Sequence, residues 1–142
     1  MRAYLAAKYA RRDELRGYIP QLNEAGIEVT SRWLQETAAL DGNMGDHSEL
    51  FYMETAVVDI DDIDSADFVI FFSEDPLVGV PRGGRHVEFG YAVGTNKSIA
   101  VIGPKENVFH YLPRTYANLI HFENLEELVE SYKKHHPVTV GE

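Results

Sequence analysis

Short apolar runs alternate along the chain with stretches whose apolar residues recur at helical spacing. The runs are four to six residues long, as expected for strands buried on both faces. They occupy residues 3–7, 27–30, 68–72, 98–103 and 119–122. The alternation therefore predicts five strands, each separated from the next by a helix or a loop.

The helical stretches carry apolar residues three and four positions apart, which predicts amphipathic helices. The first ends at Gly26 and contains Pro20, which is expected to kink or shorten it because proline lacks an N–H. Residues 30–46 have no clear period and are predicted to form a long loop. The apolar helical positions are Leu15, Tyr18, Ile19 and Leu22, then Leu50, Met53, Val57 and Ile60, then Leu125, Leu128, Val129 and Tyr132.

Alternating strands and helices predict a five-stranded parallel sheet covered on both faces, a flavodoxin-like or Rossmann-like three-layer α/β sandwich. We expect one domain over residues 1–142. Ligands of such sheets bind at the carboxyl ends of the strands. The site should therefore draw on the loop after Ala7, the loops over residues 30–46 and 73–84, and the loop after Gly103.

Composition narrows the function classes. The formal net charge is −10, which argues against binding to nucleic-acid polymers, since that requires a basic face. The chain has no cysteine and its six histidines lack metal-ligand spacing, so no metal site is expected. No segment approaches the roughly 20 apolar residues of a membrane span, and the start lacks a signal-peptide pattern. A soluble, cytoplasmic protein without a membrane partner is the expectation.

An acid embedded in an apolar helix is the main candidate for chemistry. Residues 83–94 form a glycine-rich turn that runs into a short apolar helix, and Glu88 lies within it. A carboxylate in apolar surroundings requires a partner or a task, because burying an unpaired charge is costly. Two interpretations remain open from this segment: Glu88 is the reactive group of an active site, or it forms a buried ion pair with Arg82, Arg85 or Lys97.

Candidate partners come from other elements. Tyr4 lies mid-strand, and its phenol needs a hydrogen-bond partner if buried; the alternative is a plain core residue. Asp59 shares a helical stripe with Tyr52, Ala56 and Ile63 and is placed to face inward. The nearby Asp61, Asp62 and Asp64 are expected to be solvated. Trp33 is expected either to cover an apolar edge or, as we favour, to stack on a planar ligand.

Basic residues gather at the same predicted rim. Such a group could bind a phosphate, or it could form salt bridges on the surface. Both interpretations stay open. The basic residues are Lys8, Arg11, Arg12, Arg82 and Arg85; of these, Lys8, Arg82 and Arg85, together with Ala7, Gly84 and Trp33, are the predicted substrate-binding residues.

Three segments together resemble the nucleoside 2-deoxyribosyltransferase family, which includes related nucleotide N-glycosidases. They are the start at residues 4–7, Asp59 placed eight residues before Asp67, and residues 87–92 followed by Lys97. Two features depart from the family. Arg82 stands where transferases often carry a second aspartate, and the turn at residues 8–12 lacks the serines of the nucleotide hydrolases.

The resemblance implies cleavage of the N-glycosidic bond of a 2'-deoxynucleoside, with transfer of the sugar to another base and no cofactor. It implies that Glu88 attacks the anomeric carbon, that Tyr4 orients Glu88, and that Asp59 assists the departing base. It also implies a homo-oligomer, a dimer or higher. One alternative is a 2'-deoxynucleoside 5'-monophosphate N-hydrolase. An alternative of another class is a non-catalytic nucleotide sensor on the same fold.

Overall fold

Five parallel strands lie side by side in the computed structural model, which describes residues 1–35, 48–76 and 83–136. They are β1 (Arg2–Ala6), β2 (Glu28–Val29), β3 (Phe68–Phe72), β4 (Ser98–Ile102) and β5 (Leu119–Phe122). Their order in the sheet is β2-β1-β3-β4-β5, and every pairing is parallel. The sequence prediction of a five-stranded parallel sheet is confirmed.

Within the described residues, four helices connect or follow these strands. They are α1 (Arg12–Glu24), α2 (Glu49–Asp64), α3 (Gly84–Gly94) and α4 (Leu125–His135), with short 3-10 helices at Tyr9–Arg11, Arg32–Gln35 and Val108–Tyr111. The start of α2 is capped by the Ser48 hydroxyl, and the start of α4 by the Asn124 side chain. No helix in these parts of the chain has the length and apolar character needed to cross a bilayer.

Helices cover both faces of the sheet. Tyr18 of α1 stacks on Phe72, with ring centroids 5.8 Å apart, whereas Phe89 of α3 packs edge to face on Phe71 at 5.3 Å. Because successive side chains of a strand point to opposite faces, α1 and α3 must lie on opposite sides of β3. All five residues of β3 are buried, which explains its uniformly apolar sequence.

The ends of β3 and β4 approach closely at the carboxyl edge. Gly103 has a φ of +107°, and a Cβ placed on it would lie 2.6 Å from the Ser73 hydroxyl oxygen. That hydroxyl and the Ser73 backbone N–H both donate to the Ile102 carbonyl. Glycine is required at this position because the backbone is left-handed and the space for a side chain is already filled.

The structure corrects two local expectations. Pro20 does not shorten α1, which continues to Glu24, because a proline within a helix removes one hydrogen bond and need not end it. The predicted apolar face of α2 is largely exposed, since Leu50, Met53 and Val57 are 54–61% accessible. The buried residues of α2 are Asp62 and Ile63, near its end.

Candidate active site

A buried phenol on the sheet forms a hydrogen bond with a carboxylate on a helix. Tyr4 lies in β1, between β2 and β3, and has no exposed surface. Its hydroxyl donates a hydrogen bond to Oε2 of Glu88 in the second turn of α3. The structure thereby joins two of the three predicted catalytic residues, and the interpretation of Tyr4 as plain core is excluded.

The environment disfavours charge on both partners. Burial raises the pKa of Glu88 to about 8; the hydrogen bond from Tyr4 acts in the opposite direction, and the negative charge of Asp59 raises it further. Burial and the nearby carboxylates of Glu88 and Asp59 raise the pKa of the Tyr4 phenol well above its ordinary value. Tyr4 therefore stays a hydrogen-bond donor through the physiological range, while Glu88 can change its protonation state near neutral pH.

Asp59 approaches this pair from a third element. It lies on α2, half-buried, one turn before the fully buried Ile63, as its helical stripe predicts. Asp59 and Trp33 line the same cavity of about 190 Å³. The other residues around this cavity are Arg32, Phe51, Glu54, Thr55 and Val58. An acid at the wall of a partly apolar cavity is placed to act on a planar group bound there.

Trp33 is held firmly against the sheet. Its indole N–H donates to the Leu5 carbonyl at 2.8 Å, and 9% of the residue is exposed. The ring is therefore packed as a core residue, and it also lines the cavity beside Asp59. Stacking on a ligand stays a prediction.

Asp62 corrects the expectation of a solvated acidic cluster. It is 4% exposed, whereas Asp61 and Asp64 are exposed as predicted. Its carboxylate accepts hydrogen bonds from the backbone N–H and the Nε of Arg32, both at 2.9 Å. Asp62 can be buried because Arg32 pairs with its carboxylate. The pair also anchors the 3-10 helix that carries Trp33 to the end of α2.

Two of the three residues proposed as ion-pair partners of Glu88 contact other groups instead. Lys97 donates to the backbone carbonyls of Asp64 and Ala66, and Arg85 pairs with Glu106. Glu88 takes part in no ion pair within residues 1–35, 48–76 and 83–136. The third proposed partner, Arg82, lies outside the described residues.

Arg85 does not lie on an open rim, contrary to its predicted place. Its side chain is 1% exposed and its Nη2 lies 2.6 Å from Oε2 of Glu106. The guanidinium also lies 5.7 Å from the centre of the Phe71 ring. The burial of the Arg85 charge is compensated by Glu106, on the loop after β4, whose carboxylate pairs with it. This pair ties the first turn of α3 to that loop, three residues before Glu88.

A cluster with metal-ligating groups surrounds Arg85. One ligand atom each of His86, Glu106 and His110 lies within 4.8 Å of the others. The Arg85 guanidinium already binds Glu106 and donates to Nε2 of His86 at 3.1 Å. Burial lowers the pKa of His110 to about 4, and it lowers that of His86 as well. The histidines are thus neutral near pH 7, and Arg85 supplies the positive charge of the cluster.

The basic residues after β1 are paired with acids. Lys8 lies 3.2 Å from one carboxylate oxygen of Glu74, and Arg11 lies 2.8 Å from the other. Arg11 also binds Glu14, and Arg12 donates to the Tyr9 hydroxyl at 2.8 Å. The alternative of salt-bridged residues therefore holds for Lys8 and Arg11.

The remaining predicted contacts lie at the same edge. Ala7 is buried directly after β1, and Gly84 is the exposed first residue of α3. Glu74 and Glu106 were not among the predicted site residues, although both of their loops were predicted to contribute to the site. Their positions just after β3 and β4 were the available signal. Glu106 Oε1 accepts the backbone N–H of Glu74 at 3.1 Å and so joins those loops.

Solved structures with the same arrangement of elements include two nucleoside- or nucleotide-processing proteins. The CMP N-glycosidase BcmB of Clostridium botulinum aligns over 94% of this chain and 99% of its own, with 22% identity and a TM-score of 0.63. A 2-deoxyribosyltransferase of Bacillus psychrosaccharolyticus aligns over 91% and 90%, with 15% identity and a TM-score of 0.65. The chain has the 2-deoxyribosyltransferase fold.

A conserved protein of Enterococcus faecalis V583 also shares the 2-deoxyribosyltransferase fold, over 95% of this chain and 98% of its own, at 15% identity and a TM-score of 0.61. The sequence matches no protein-family model and no curated protein. The fold predicted from the apolar pattern and from the family resemblance is thereby confirmed.

Proposed function

We propose that this protein is an enzyme of the nucleoside 2-deoxyribosyltransferase family that cleaves the N-glycosidic bond of a 2'-deoxynucleoside and transfers the sugar to another base. The contact between Tyr4 and Glu88, with Asp59 close enough to shift both pKa values, carries this proposal. Two acids with different surroundings and one orienting phenol are the groups that such a reaction requires.

In the first step, the ionised carboxylate of Glu88 attacks the anomeric carbon of the sugar. The bond from that carbon to the base nitrogen breaks, and its electron pair stays with the base. Asp59 donates a proton to the departing base, and a glycosyl ester of Glu88 remains. In the second step, a nitrogen of another base attacks the anomeric carbon and releases the Glu88 carboxylate, while Asp59 recovers a proton from the incoming base.

Tyr4 has two tasks in this scheme. Its hydrogen bond directs one carboxylate oxygen of Glu88, and it stabilises the ionised form that the attack requires. Because the pKa of Tyr4 is itself raised, the phenol keeps its proton while Glu88 loses one. Burial opposes the charge on Glu88 and keeps the carboxylate reactive rather than strongly solvated.

Hydrolysis of a 2'-deoxynucleoside 5'-monophosphate is the second candidate. The structural likeness to the CMP N-glycosidase favours it. Water would then replace the second base in the second step. The non-catalytic sensor is the third candidate, and it predicts binding without turnover.

Incubation with 2'-deoxynucleosides and their monophosphates, with and without a free acceptor base, tests the proposal by chromatography. The transferase produces a new nucleoside that depends on the acceptor. Release of base from a monophosphate without transfer selects the hydrolase. Calorimetric binding of the same compounds without any product contradicts an enzymatic function and supports the sensor.

A further inference from the structure

Glu74 occupies the position between the two cations that follow β1. Its Oε1 lies 3.2 Å from the Lys8 ammonium, and its Oε2 lies 2.8 Å from Nη1 of Arg11. The Glu74 side chain is 18% exposed and that of Arg11 22%. One carboxylate thus bridges both cations with both of its oxygens, in a partly desolvated place where charge interactions are stronger than on the open surface.

The backbone holds Glu74 in this bridge. Glu106 Oε1 accepts the N–H of Glu74, and Nη1 of Arg11 also donates to the carbonyl of Ser73 at 3.2 Å. Glu106 is itself held by the buried Arg85. The peptide group that joins Ser73 to Glu74 is therefore held at both its N–H and its carbonyl. Displacing the Glu74 carboxylate would disturb contacts that involve two loops.

The charges of this group cancel. Lys8 and Arg11 contribute two positive charges, and Glu74 and Glu14 contribute two negative ones. A phosphate dianion arriving here would have to displace Glu74 from both cations and would leave that half-buried carboxylate beside it. Such a displacement is unfavourable, because removing the partner of a desolvated charge is costly.

The group lies within reach of the sugar site. Tyr4 is in β1, and Lys8 is four residues further along, so their Cα atoms are separated by at most about 14 Å. β3 pairs with β1 in register, Tyr4 opposite Val69, which brings Glu74 to the same edge of the sheet. If the sugar binds against Glu88, as the proposed function requires, its 5' end can extend toward Lys8 and Glu74.

We propose that Glu74 is a specificity-determining residue: it supplies an internal carboxylate in place of a 5'-phosphate and so selects substrates with a neutral 5'-hydroxyl. This inference rests on the proposed function and names its substrate class, the nucleosides. A neutral hydroxyl leaves the bridge intact and can donate a hydrogen bond to Glu74, whereas a phosphate repels it.

The variant Glu74→Gln tests the inference, because it removes the charge while keeping the shape. We expect the ratio of kcat/KM for deoxyuridine 5'-monophosphate to kcat/KM for deoxyuridine to rise by about tenfold or more, since charge-assisted hydrogen bonds to Lys8 and Arg11 become available to the phosphate. The matched control is Glu14→Gln, which also frees a contact of Arg11 but does not touch Lys8. We expect it to change the ratio by less than about twofold.

A ratio that is unchanged in Glu74→Gln, or that rises equally in Glu14→Gln, overturns the inference. A wild-type preference for the monophosphate also overturns the inference, but it would still agree with the proposed N-glycosidic cleavage. Calorimetry with inorganic phosphate at low salt provides a readout that does not depend on turnover. Tighter phosphate binding by Glu74→Gln than by wild type, abolished in the double variant Lys8→Met/Glu74→Gln, shows that Glu74 excludes phosphate from this position even if the wild type cleaves neither substrate and the proposed function fails.

Discussion

The phenol of Tyr4 donates a hydrogen bond to the carboxylate of Glu88, 84 positions away along the chain. One residue belongs to the sheet and the other to a helix packed on it, so the contact depends on how α3 sits against β1 and β3. Two opposing effects act on the pKa of the Glu88 carboxylate. Burial raises it, and the hydrogen bond from the phenol partly compensates.

Replacing the nucleophile should abolish turnover. Glu88→Gln keeps the size of the side chain and an acceptor for Tyr4 but cannot form a glycosyl ester. We expect base release to fall by roughly a thousandfold, as for other losses of a covalent nucleophile. Chromatography of the released base measures it. Retention of more than about a tenth of the wild-type rate would exclude Glu88 as the nucleophile.

The same variant should change how stability depends on pH. The pKa of Glu88 is about 8 in the folded protein, against 4.5 for an ordinary glutamate. Its contribution is therefore fully present below pH 4.5 and lost as pH rises through about 8. Denaturant titrations should show Glu88→Gln gaining stability relative to wild type across this window, by up to about 1.4 kcal/mol per pH unit. A pH-independent difference would mean that the pKa of Glu88 is not raised.

Removing the phenol should move the pH–rate profile. The hydrogen bond from Tyr4 lowers the pKa of Glu88, so Tyr4→Phe should shift the rising limb of kcat/KM from about 8 toward higher pH. Tyr18→Phe is the matched control, since its hydroxyl binds the exposed Glu14 instead. If Tyr4→Phe lowers the rate equally at every pH, the phenol positions Glu88 without stabilising its charge.

Asp59→Asn should slow cleavage most for poor leaving bases, because the amide cannot donate a proton as an acid does. Rates for a series of bases with different basicity measure this dependence. Asp61→Asn, on the exposed side of α2, serves as the control. An equal effect of Asp59→Asn on all bases would assign Asp59 to positioning rather than proton transfer.

The exposed apolar stripe of α2 gives a test of the expected homo-oligomer. Met53 is 61% accessible and lies between the similarly exposed Leu50 and Val57. If copies of the chain associate through this face, Met53→Glu should shift sedimentation to a slower species, since a charge would be buried at the interface. Lys133→Gln, on α4, controls for the change in net charge, because it makes the charge more negative by the same amount. Unchanged sedimentation of Met53→Glu would exclude this face.

The sequence predicted strand positions closely because buried parallel strands are uniformly apolar. Residues 68–72 and 119–122 coincide with β3 and β5. The partial burial of Asp59 could also be predicted, because Ile63 follows it by one helical turn on the same stripe. The apolar positions of α2 predicted a face that packs on the core, and this prediction was wrong for a physical reason. An apolar stripe indicates a covered face but does not say whether the core or another molecule covers it.

The electrostatic partners could not be predicted. Arg85 and Glu106 lie 21 positions apart, and Arg32 and Asp62 lie 30 apart. Charge pairs of this kind leave no periodic signal, because they depend on which loops meet at the sheet edge. The basic residues at that edge left both a phosphate site and surface salt bridges open, and the structure shows that Lys8, Arg11 and Arg85 have acidic partners.

The parallel pairing of β1 with β3 has a consequence for how the protein gains its activity on folding. The pairing brings Ala3 beside Phe68, and α3 follows β3 in the chain. Contacts so distant in sequence form slowly, after local helices. The site therefore assembles late, and recovery of catalysis during refolding would report completion of the sheet rather than formation of helices.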